Sequence, residues 1–93
     1  MKIEAFDNVW DAIEDDPAIR QNLKLRSELM VSLARHIKRE GLTQAQAAKL
    51  FGVTQPRISN LMRGKINSLG LDTLVRMAAI AGLRVSMKVQ KAA

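Results

Sequence analysis

Apolar residues recur along this chain in blocks of helical spacing, and glycine closes most of the blocks. Val9, Trp10 and Ile13, behind a possible cap at Asp7, predict a short first helix. Asp16-Pro17 then reads as an N-cap followed by proline at the first helical position, where its missing N–H costs nothing. From there Ile19, Leu23, Met30, Leu33 and Ile37, broadened by Leu25 and Leu29, describe one long amphipathic helix. Arg35, His36, Lys38 and Arg39 crowd its carboxyl end, and Gly41 stands just beyond. Cations there complement the helix dipole, and glycine takes the left-handed cap cheaply.

Thr43-Gln44-Ala45-Gln46 has the capping-box form and opens a short helix that ends at Gly52. Thr54 caps the next, which runs to Gly64, and a further helix spans about Leu71 to Ala81 before Gly82. After it the period changes. Arg84-Val85-Ser86-Met87-Lys88-Val89-Gln90 alternates apolar on odd numbers with polar on even, which predicts a strand.

The stretch LFGVTQPRISNL, Leu50 to Leu61, places each residue type at an offset with a mechanical reason. Ala48 falls where two helices cross most closely and must be small. Gly52 falls in a turn that needs positive φ. Val53 plugs the gap beneath it, while Ile58 and Leu61 face the same core as Ala47, Leu50 and Phe51. Pro56, as the second helical residue, stiffens the first turn without losing an intrahelical bond. This is a helix-turn-helix, the unit whose second helix lies in the DNA major groove.

At about 100° per residue, with Ile58, Leu61 and Met62 inward, Pro56, Ser59, Asn60 and Arg63 project outward, flanked by Gln55 and Arg57. Gln and Asn suit adenine, and Arg suits the paired acceptors of guanine. A polar outer face is ordinarily only solvated. The outer faces of bundle helices mix Glu with Lys, however, whereas Gln55–Lys65 contains no acid and three cations.

Charge sharpens this picture. The 93 residues carry a net +6, but residues 1–19 hold Lys2 against six acids, a net −5, and the remainder holds fourteen Lys/Arg against three acids, a net +11. A basic body suits a polyanion. With no cysteine, disulfides and Cys-based zinc sites are excluded and a cytoplasmic setting is the default. The acidic start does not resemble a signal peptide, and no apolar run approaches the roughly 18 residues of a membrane span.

An enzyme is not expected. The chain has one histidine and no tyrosine, and it lacks HExxH, a glycine-rich phosphate loop or a nucleophile elbow. His36 sits in a basic run with no second ligand at metal spacing, so no metal and no cofactor is expected. Phe6, Trp10 and Phe51 are the only aromatics, too few to stack single-stranded RNA.

Residues 41–65, GLTQAQAAKLFGVTQPRISNLMRGK, resemble the xenobiotic-response-element (XRE) family of helix-turn-helix regulators, the phage-repressor type. The wider frame, with FDNVWDAI before the long helix and LDTL after the motif, is similar to the branch that includes HigA-like antitoxins. The resemblance implies an all-α fold, usually dimeric, and a repressor that autoregulates an operon with a ribonuclease toxin. It also implies phosphate contacts from Gln44, Thr54, Arg63 and Lys65, and base readout by Gln55, Arg57 and Asn60 with Ser59 in support. Arg35, His36, Lys38 and Arg39 could add phosphate contacts, although the helix dipole already accounts for them. Relatives commonly carry Phe-Ser before the last helix, where this chain has Leu69-Gly70, a weaker cap.

A lone strand leaves its backbone groups unpaired. The economical expectation is that Arg84–Gln90 pairs with its counterpart in a second copy, burying Val85, Met87 and Val89. Pairing with Lys2–Phe6 of the same chain is the rival. The expected architecture is therefore an all-α, five-helix bundle with a central helix-turn-helix and a short C-terminal β-strand pairing across a dimer. Residues 1–16 form an acidic arm with a short helix, 17–83 the helix-turn-helix domain, and 84–93 the strand and tail. The partners expected are a double-stranded DNA operator, a second copy and a small basic toxin, with no membrane. A stand-alone regulator without a toxin, or a protein-binding module, is the alternative.

Overall fold

A computed structural model describes residues 15–91. They form α1 (Pro17–Arg39), α2 (Gln44–Phe51), α3 (Gln55–Met62), a 3-10 turn (Ile66–Ser68) and α4 (Leu71–Ile80). None of these helices is long and apolar enough to cross a membrane.

Local chemistry sets each boundary. Asp16 adopts an extended conformation and its carboxylate accepts the Ala18 N–H at 2.9 Å, so α1 starts at Pro17 as the Asp-Pro pair predicts. Thr43 and Gln46 complete a reciprocal capping box, with Thr43 Oγ1 accepting the Gln46 N–H at 3.1 Å and Gln46 Oε1 accepting the Thr43 N–H at 2.9 Å. Such a cap stabilises a short helix by about 1 kcal/mol. Gly70 precedes α4 with no side-chain cap, as the Leu69-Gly70 departure predicts.

The core lies where α1 crosses the other helices. Leu33 and Ile37 of α1, Ala47 and Phe51 of α2, Ile58 and Leu61 of α3, and Leu74 and Met77 of α4 are all buried in one cluster. Leu42, Val53 and Leu83, each just after a helix-ending glycine, pack on its margin. Their N–H groups donate to carbonyls five residues back, at Ile37, Ala48 and Ala78. One stop is thus used three times: the chain reverses at a left-handed glycine and drops an apolar side chain onto the core.

Two expectations change. The five-helix bundle with a C-terminal strand is instead four α-helices and a 3-10 turn, with no strand among the described residues. The expected first helix around Val9–Ile13 and the rival strand Lys2–Phe6 lie outside the described residues. Residues 84–91 are irregular, and Val85, Met87 and Val89 are 43%, 68% and 86% exposed. Alternation fixes which side chains share a face, but a ladder needs a second strand, and no described segment lies opposite. Leu50 is the second correction. It is 46% exposed, because α2 turns Ala47, Ala48 and Phe51 inward and position 50 lies about 100° round the helix from Phe51.

Candidate nucleic-acid interface

The turn between α2 and α3 is built as its sequence requires. Gly52 has φ +66° and its N–H donates to the Ala48 carbonyl, as does the N–H of Val53 at 3.1 Å. Thr54 then returns to an extended conformation, and its Oγ1 accepts the Arg57 N–H at 3.3 Å to open α3. Two residues, Val53 and Thr54, separate Gly52 from the new helix, and Ile58 and Leu61 anchor α3 in the core.

That anchoring fixes what α3 shows to solvent. Gln55, Pro56 and Arg57 are exposed in its first turn, with Pro56 at the second helical position as expected. Ser59 and Asn60 are half-buried on its outer flank. Arg63, the C-cap residue, and Lys65 beyond Gly64 are exposed at the other end. Arg63 Nη2 donates to Asn60 Oδ1 at 3.3 Å, so the residue expected to read a base and the one expected to hold a phosphate are coupled. The Asn60 amide keeps its own N–H donors for a base edge.

Gln44 is the exposed first residue of α2, and Thr54 is exposed before α3. The Thr54 oxygen accepts at the cap, which leaves its hydroxyl hydrogen available to a phosphate. Gln55, Arg57, Ser59 and Asn60 therefore come together along α3, with Arg63 and Lys65 just past its end, Thr54 at its head and Gln44 on the preceding helix. Val85, Met87 and Val89 lie apart from them on the irregular tail.

Two arginines carry roles the pattern did not disclose. Arg26 of α1 donates from Nη1 to the carbonyl of Ile66 at 3.1 Å, and its Nε donates to Asn22 Oδ1 at 2.7 Å. It ties the long helix to the turn that follows α3. Arg76 of α4 donates from Nη1 to the carbonyl of Phe51 at 3.3 Å, satisfying the end of α2 beside Gly52. The Asn22–Arg26 spacing of four was a visible signal. For Arg76 the only hint was its standing as the one cation in a helix of ten residues.

A family model for a helix-turn-helix domain matches residues 12–90. No curated protein was found to match the chain. The match covers all four helices and the turn built around Gly52, and the chain belongs to this family of helix-turn-helix domains.

Proposed function

We propose that this protein is a sequence-specific repressor that reads double-stranded DNA with α3 in the major groove. The observation that carries this reading is the outer face of α3. It buries its apolar residues Ile58 and Leu61, exposes Arg57, Arg63 and Lys65, and contains no acid from Gln55 to Lys65. Gln55, Arg57, Ser59 and Asn60 are assigned to base edges. Gln44, Thr54, Arg63 and Lys65 are assigned to phosphates, with Arg63 braced by Asn60.

One α3 reads only a few base pairs, so the protein acts as a homodimer on an operator whose half-sites lie roughly 34 Å apart, one DNA turn. A DNA partner implies a cytoplasmic setting. Selection of bound duplexes from a random pool tests the reading. A recurring two-half-site motif at one-turn spacing is expected, and recovery of unrelated sequences would refute it.

The resemblance to XRE regulators and to HigA-like antitoxins supports a narrower role, that of an antitoxin repressing its own operon. The acidic stretch of residues 1–19 has the charge to meet a small basic toxin. Co-purification with the product of an adjoining small basic reading frame tests this; if no such frame adjoins the gene, the protein is a stand-alone regulator.

A further inference from the structure

On the side of the domain away from α2 and α3, an open groove of about 380 Å³ runs between α1 and α4. Leu25 and Leu29 form one wall, Leu71 and Val75 the other, and Val85 and Met87 of the tail close one edge. Pockets that hold drug-sized molecules start at roughly 300 Å³, so the groove has room for two aromatic rings. Val75 and Met87 are large apolar side chains left 40% and 68% exposed around it. Arg84 and Glu28 also line it, and Lys88 follows on the tail.

We propose that this groove receives Phe6, Val9, Trp10 and Ile13 of the same chain. Four features point to that occupant. The 14 residues before Asp15 are the longest stretch outside the described chain, and they join it directly before α1. Their apolar residues fall at 6, 9, 10 and 13, a single helical stripe, and their acids Asp7, Asp11 and Glu14 fall together on one flank of it.

The reach is right. Leu25 lies about 12 Å along α1 from Pro17, and a helix from Ile13 back to Phe6 spans about 10 Å. Reversing at Glu14–Asp16 and returning beside α1 brings Trp10 to within about one turn of Leu25 and Phe6 to within about one turn of Leu29. Finally, the charges agree. The segment carries four acids against Lys2, and the tail whose Val85 and Met87 edge the groove carries Arg84, Lys88 and Lys91 with no acid. Tethering gives the segment an effective concentration that a separate chain matches only at about millimolar levels. The groove is lined by no residue of α2 or α3, so the docked segment leaves the reading face clear.

Trp10 is the single tryptophan, so its fluorescence in the full-length protein reports the docking. The expected result is blue-shifted emission, unchanged across a wide dilution series and protected several-fold from acrylamide quenching. In Val75→Glu the emission should move to that of a solvated indole while far-UV helicity is retained. Met87→Glu, on the irregular tail, should produce the same red shift if Val75→Glu does not fold. Three results would each overturn the proposal. One is solvated emission in the unaltered protein, another is burial that ignores the substitutions in a folded variant, and the third is a blue shift that grows only with concentration, which would assign the groove to a second copy.

Discussion

Arg76 of α4 donates from Nη1 to the carbonyl oxygen of Phe51, 25 residues earlier, at 3.3 Å. Phe51 is the last residue of α2 and is fully buried, so this bond locks the final turn of α2 to the helix beneath it. The pitch of α3 depends on that turn. In the proposed function Arg76 acts on DNA reading at one remove, by holding the end of α2 from which the turn to α3 starts.

Arg76→Ala should lower unfolding free energy by about 0.5–1.5 kcal/mol, the usual net worth of one hydrogen bond, because Arg76 is an exposed residue. It should weaken cognate and random DNA alike, because it loosens α3 without removing a reader. Denaturant titration and duplex binding measured together check this. A loss confined to the cognate duplex would mean that Arg76 itself reads sequence.

Gly52→Ala should cost about 1–2 kcal/mol through backbone strain alone. Its φ is +66°, and a Cβ there would meet nothing closer than Arg76 Nη2 at 3.9 Å, so the added methyl has space. Gly52→Asn, with the same room but a side chain tolerated in the left-handed region, should recover part of the loss. Equal stability of Gly52→Ala and the unaltered protein in thermal unfolding would contradict the strained turn.

Leu50 and Phe51 are neighbours with opposite expected costs. Phe51→Ala empties the centre of the core and should cost about 3–5 kcal/mol. Leu50→Gln, at a position 46% exposed, should change stability by less than about 1 kcal/mol. Comparable losses in chemical denaturation would return Leu50 to the core.

That pair also shows where sequence pattern stops. The capping box at Thr43–Gln46, the Asp16-Pro17 start, the glycine at 52 and the inward pair Ile58 and Leu61 are local, and short-range chemistry made them legible. Leu50 was misplaced because α2 has only two turns, and three inward residues already fill its contact with the core. The tail was misread for a different reason. Alternation from Arg84 to Gln90 fixes faces, whereas a strand exists only when another backbone pairs with it. Arg26 and Arg76 act across 40 and 25 residues of chain, and helical periodicity is blind to such contacts. The Asn60–Arg63 pairing needed the geometry of the helix end as well as the spacing.

Arg57 and Lys65 are both exposed cations near α3, and they should behave differently. Arg57→Ala should cost roughly 1–3 kcal/mol on the cognate duplex and relax preference at one base pair. Lys65→Ala should weaken all duplexes by the same factor and reduce the salt slope by about one. Binding isotherms on cognate and random duplexes at several salt concentrations separate the two. Equal losses on both duplexes for Arg57→Ala would remove it from base readout.

The central claim is that α3 reads sequence rather than phosphate alone. Its most direct test is an anisotropy titration of labelled duplex from the gene's own upstream region against a scrambled duplex, at low and at raised salt. Raised salt strips away the contacts that depend only on phosphate. The account predicts that the upstream duplex stays bound at raised salt while the scrambled one is released. Identical affinities for the two duplexes, falling together as salt rises, would contradict it.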